Sequence, residues 1–210
     1  MPYEQQATSA TPALIICALD VRASMRQQMG GKTRVEIVMD ALETTLRRMV
    51  VLSTRGSSVL ARYRLAMFAY SDAPEDPMGG ILDIGRVVAK GVPLLEPLRN
   101  TNAARAFYAV ERLLQAELPN LAVCPAPLVC HVTDRERTGA DPRPIVRPMR
   151  EMRNEESNVL VENIFISNDI LAEAVPSTKQ WSGVNANTRL RSEDVIPGPF
   201  TRGRAPTRRR

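Results

Sequence analysis

Apolar residues run unbroken from Ala13 to Leu19 and stop at Asp20, the pattern of a strand buried on both faces of a parallel sheet. The period then changes. Between residues 33 and 54, Val35, Val38, Leu42, Leu46 and Met49 recur at spacings of three and four, which predicts a long helix with one apolar face, ended by Gly56-Ser57-Ser58. Tyr63–Tyr70 predicts a second strand, and Ser71–Gly80, with two prolines and two glycines, a turn-rich loop. Ile81, Leu82 and Ile84 predict a short strand, followed by an irregular segment through Gly91 and Pro93. Asn100-Thr101-Asn102 offers capping side chains for a helix over Ala103–Leu118, which Pro119 stops. Pro127–Thr133 is a further buried strand ending at Asp134. Asp141-Pro142 reads as a cap with proline at the first helical position, although Pro144 and Pro148 interrupt the helix that follows. Asn158–Ile166 predicts another strand. Strands alternating with helices give an α/β, Rossmann-like fold with a mostly parallel sheet flanked by helices. Sites in such sheets form at the carboxyl ends of the strands, which directs attention to Asp20, to the loop before Ala103 and to Asp134.

Composition changes this picture little. The 210 residues are 44% apolar and 24% charged, the balance of one globular domain. The expected division is a polar, flexible arm over 1–11, the domain over 12–195 and a basic, disordered tail over 196–210. No apolar run approaches the roughly 20 residues that span a bilayer. Three cysteines (Cys17, Cys124, Cys130) are too few for a disulfide framework, and no basic segment precedes the first apolar run. Both features lead to the expectation of a cytoplasmic protein without a membrane partner.

Charge matters more through its distribution than its total. The net charge is +5, and residues 189–210 alone hold seven arginines against two acids. The rest of the chain is therefore neutral, and any attraction for nucleic acid or an acidic surface belongs to the tail, through Arg202, Arg204, Arg208, Arg209 and Arg210. That string also reads as a solvated end without a role. A third reading is the product of an altered frame in GC-rich coding sequence, since arginine outnumbers lysine 25 to 3.

Carboxylate and hydroxyl side chains at three strand ends have the chemistry of a hard-cation site, because Mg²⁺ and Mn²⁺ take oxygen ligands and keep several waters. By spacing alone the metal reading is the weaker one, because Asp and Ser at loop starts are more often helix caps. Leu19-Asp20-Val21-Arg22-Ala23-Ser24-Met25, the segment Thr101–Phe107 and Val132-Thr133-Asp134 add a further consideration. Their order resembles a von Willebrand factor type A (vWA) domain and its metal site, the MIDAS motif (Asp-x-Ser-x-Ser, then a threonine, then an aspartate). The stretches Arg62–Asp72, Pro127–Asp134 and Asn158–Ser167 resemble bacterial intracellular vWA proteins, over about residues 12–195. The resemblance implies a protein-interaction module of bacterial signalling or stress-response complexes. It implies Mg²⁺ or Mn²⁺ held by Asp20, Ser24, Thr101 and Asp134, with an acidic residue of a partner protein completing the site.

Two departures bear on that expectation. Arg22 stands where the motif has its first serine, and Arg135 where the family usually has glycine after the aspartate. Arginine removes an oxygen ligand and adds a permanent cation. Two readings follow: the side chain swings out and a weakened metal site survives through Ser24, Thr101, Asp20 and Asp134, or the guanidinium pairs with Asp20 or Asp134 and stands in for the cation, so that the site is metal-free. A hydrolase using the strand-end carboxylates ranks last, because no base or nucleophile with a partner accompanies them. His131, the single histidine, reads as a core residue, and Cys17 and Cys130 as small buried hydrophobes. Cys124 falls in a loop with an exposed position expected. Gly30-Gly31-Lys32-Thr33 matches only the end of a phosphate loop and lacks its leading glycine.

Overall fold

The computed structural model describes residues 4–97, 103–134 and 142–166. In chain order the elements are β1 (Ala13–Asp20), a hairpin of β2 (Gln28–Met29) and β3 (Lys32–Thr33), and α1 (Arg34–Ser53). A second hairpin of β4 (Thr54–Arg55) and β5 (Ser58–Val59) precedes β6 (Tyr63–Tyr70), β7 (Pro74–Glu75) and β8 (Leu82–Asp83). Then come α2 (Ile84–Lys90), α3 (Ala103–Glu117), β9 (Leu128–Thr133), α4 (Arg143–Glu151) and β10 (Leu160–Phe165).

The main sheet runs β10-β9-β1-β6-β7, with β8 also paired to β6. The four long strands are parallel to their neighbours, and the short β7 and β8 are antiparallel to β6. β1 lies at the centre because its apolar run can be covered on both faces. Alternation sorts its side chains: Leu14, Ile16 and Ala18 pack with Phe107, Val110 and Leu114 of α3 and Ile145, Val146 and Met149 of α4. Cys17 and Leu19 pack with Val35, Val38, Leu46 and Met49 of α1 and Ile84 and Val87 of α2. The sandwich of two helical layers over one sheet confirms the α/β reading.

Several local features differ from expectation. The strand expected at Ile81, Leu82 and Ile84 is only Leu82–Asp83, and Ile84 together with the segment expected to be irregular forms α2. Asp83 caps it by accepting from the Arg86 amide, Ile84 and Val87 bury one side, and Gly91 at φ +81° ends it. Seven residues are too few for a periodicity to stand out. α4 forms despite its prolines, because Pro144 lies in the first turn, where no intrahelical donor is required. Pro148 is tolerated within it, and Ile145, Val146 and Met149 are buried. Gly30 and Gly31, at φ +61° and +85°, make the turn of the β2–β3 hairpin and not a phosphate cradle. Cys124 is buried, contrary to expectation. Of the arm, Gln5 lies against the domain, its amide donating to Glu156, and Ala7 packs beside the α1-side core. The tail from 196 to 210 lies outside the described residues.

Candidate functional site

β1 and β9 are adjacent and parallel, so Asp20 at the end of one and Asp134 just after the other come together. Arg22, two residues beyond Asp20, turns back between them. Its Nε donates to Asp20 Oδ1 and Oδ2 at 3.0 and 2.8 Å, and its Nη2 to Asp20 Oδ2 at 2.6 Å. The same Nη2 donates to Asp134 Oδ1 at 3.0 Å and to Thr133 Oγ1 at 3.2 Å. Thr133 in turn donates to Asp20 Oδ2 at 2.7 Å, and the Arg22 amide to Asp20 Oδ1 at 3.1 Å. The remaining oxygen, Asp134 Oδ2, accepts from Arg34 Nη1 at 3.0 Å. Both aspartate side chains are sealed from solvent, while those of Arg22 and Arg34 keep only 7% and 10% of their surface. The neighbouring carboxylates, Asp20 first, raise the Arg22 pKa against the opposing effect of burial.

Arg34 is the member that sequence reasoning missed. It is the first residue of α1, placed by a capping box in which the Thr33 hydroxyl accepts from the Glu36 amide and the Glu36 carboxylate accepts from the Thr33 amide. The box is legible as Thr-x-x-Glu, but nothing local to it indicates that Arg34 reaches a carboxylate 100 residues away. Ser24, expected among the ligands, lies in the 3₁₀ turn Ala23–Arg26, and its Oγ is buried without a hydrogen-bond partner among the described residues. Thr101 and Arg135 lie outside the described residues.

This donor set does not fit a divalent cation. All four aspartate oxygens accept from a guanidinium. A dication placed among them would face two permanent cations, with a repulsion of several kcal/mol at about 4 Å in partly buried surroundings. Of the two readings of Arg22, the geometry matches the one in which the guanidinium pairs with the carboxylates. It does so with both, where either one was expected.

A second buried polar group lies behind this cluster on the α3 face. His131, opposite Ala18 on β1 and Asn163 on β10, uses both ring nitrogens. Nδ1 lies 2.8 Å from Asn163 Oδ1, an atom that only accepts, so Nδ1 carries the proton. Nε2 is then the acceptor for the Tyr70 hydroxyl. The Phe107 ring meets the imidazole edge-on at 4.9 Å. With both nitrogens engaged inside the core, His131 is a structural residue. Burial lowers its pKa from the ordinary 6.5. The folded state therefore favours the neutral ring, and the unfolded chain takes up a proton first as pH falls. Stability is full above about 6.5 and declines below it, by up to about 1.4 kcal/mol per pH unit. Urea unfolding at pH 7.5 and 5.5 tests this: the loss on acidification should shrink in His131→Phe, and equal losses in both chains would refute the assignment.

No family model matches the chain, and no curated protein matches it in sequence. Solved structures do match in fold. BatB from Bacteroides thetaiotaomicron aligns with 73% of this chain and 66% of its own, at TM-score 0.52 and 13% identity. A von Willebrand factor type A structure from Catenulispora acidiphila aligns with 76% of this chain and 34% of its own, at TM-score 0.50 and 14% identity. The chain has the vWA fold. An aerotolerance-related membrane protein from Bacteroides fragilis, at TM-score 0.50 and 15% identity, aligns with 88% of this chain and 80% of its own. That match corrects the cytoplasmic placement expected above: a vWA fold of this size occurs in a membrane protein, so few cysteines and a globular composition do not place the chain in the cytoplasm. Among the described residues, no helix is long and apolar enough to cross a membrane.

Proposed function

We propose that this vWA domain is a protein-interaction module that engages its partner over the carboxyl ends of β1 and β9. The supporting observation is the cluster of Asp20, Arg22, Arg34 and Asp134. Buried ion pairs bring little net stability compared with apolar packing, so four charged side chains at this edge are poorly explained as scaffolding. The edge is also where open parallel sheets bind their ligands. Ala23 and Arg26, exposed in the 3₁₀ turn that directly follows Arg22, are available to a partner surface, and Arg26 is held by a hydrogen bond from Nη2 to the Pro97 carbonyl.

A hydrolase is the weaker reading. The carboxylates are committed to guanidinium groups, and His131 is enclosed in the core, so neither serves as a base. Nucleic-acid binding through the tail concerns residues outside those described, and its mark would be steep salt dependence lost on truncation at Ile196.

The test is affinity capture from cell extract with the full chain, with Ala23→Arg and with a chain ending before Ile196. The same proteins should be retained by the full and shortened chains, whereas Ala23→Arg should lose them while melting normally. Retention unchanged by Ala23→Arg would overturn the use of this face. Retention lost only on truncation would transfer the function to the tail.

A further inference from the structure

We propose that the guanidinium of Arg22 is the resident cation of this site, a covalently tethered replacement for a divalent metal, so that the strand-end site is assembled without metal. The inference deepens the reading of this edge as the interaction surface but concerns the state of the site itself.

Three observations carry it. First, Arg22 performs the structural task of a bridging cation: one nitrogen, Nη2, joins Asp20 Oδ2 at 2.6 Å and Asp134 Oδ1 at 3.0 Å, across two adjacent strands. Second, the hydroxyl of Thr133 is oriented by the same pair, accepting from Arg22 and donating to Asp20, so the oxygen-rich end of β9 is already satisfied. Third, charge is balanced. Among the described residues of the cluster, two buried carboxylates are matched by two buried guanidiniums, Arg22 and Arg34, which leaves these four side chains with no net negative charge to attract a dication. A guanidinium keeps its proton at every accessible pH, and its planar fork fits a carboxylate edge-on. The substitution therefore converts a site that depends on ion supply into one that is always occupied. The Oγ of Ser24, buried without a partner among the described residues, is what such a conversion would leave over, an oxygen without the ion it would have faced.

The test compares the natural chain with Arg22→Ser, which replaces the guanidinium with a hydroxyl. Both are melted in EDTA and in millimolar MnCl₂ or MgCl₂, and titrated with MnCl₂ by calorimetry. The natural chain should show no saturable heat and the same Tm in all three conditions. Arg22→Ser should melt roughly 10 °C lower in EDTA, since removing one partner strands two buried carboxylates. It should regain part of that loss in MnCl₂, with saturable binding. Saturable Mn²⁺ binding by the natural chain would overturn the proposal, as would an Arg22→Ser chain that is no less stable in EDTA or that gains nothing from metal.

If Arg22→Ser does not fold, the natural chain alone decides. The Nε–H resonance of Arg22 should stay sharp at substoichiometric Mn²⁺, and its selective broadening would place the ion in the site and refute the replacement. These readouts are independent of partner capture. A failed capture experiment with a metal-indifferent natural chain removes the proposed function and leaves the tethered cation standing.

Discussion

Arg22→Met is expected to lower stability by about 3–5 kcal/mol, the range for breaking a buried ion pair from one side. Methionine keeps much of the length and apolar stem but none of the five donors. Among the described residues, Asp20 then keeps Thr133 as its side-chain partner, and Asp134 loses its bond from Arg22 while keeping the one from Arg34. Both carboxylates are sealed from solvent, so water cannot replace what is lost. Urea unfolding should show a lower midpoint at unchanged slope. Adding Asp20→Asn to Arg22→Met should recover part of the loss, because a neutral amide is less costly to bury than an unpaired carboxylate. A loss below about 1 kcal/mol would mean that the cluster is hydrated and the ion pairs are peripheral.

Phe107→Ala should have an effect of similar size, about 3–5 kcal/mol. The ring is 1% exposed, and it fills the space between α3 and the sheet. It also closes the edge of the His131 imidazole. Its removal leaves a cavity against a polar group and admits water to the hydrogen bonds joining His131 to Tyr70 and Asn163. The neighbouring Tyr108→Ala, at a position 54% exposed, should stay within about 0.5 kcal/mol. Thermal or urea unfolding of the two variants, side by side, checks the contrast. Equal effects would show that α3 does not present the face described.

The long elements were legible because each has a period that physics allows in only one state. The run Ala13–Leu19 and the stripe from Val35 to Met49 appear in the structure as β1 and the buried side of α1. Misreadings came where a short element depends on its partners. α2 has one turn of apolar residues and an aspartate cap, which is too little pattern to separate from a loop. β7 is two residues that extend only because β6 offers an edge.

For the site, the sequence by itself determined the chemical ingredients. Asp20 and Asp134 end apolar runs, which places both at the same edge of a parallel sheet, and Arg22 follows the first of them closely enough to reach it. It did not determine which way the Arg22 side chain points, and both readings were compatible with the same residues. The tertiary structure decided that by placing β9 beside β1, so that one guanidinium spans both aspartates. It also recruited Arg34, whose pairing with Asp134 joins residues 100 positions apart. Neither fact has a local signature. Strand adjacency and the orientation of a helix start arise from packing the whole chain, and buried charge takes whatever partner that packing brings within reach.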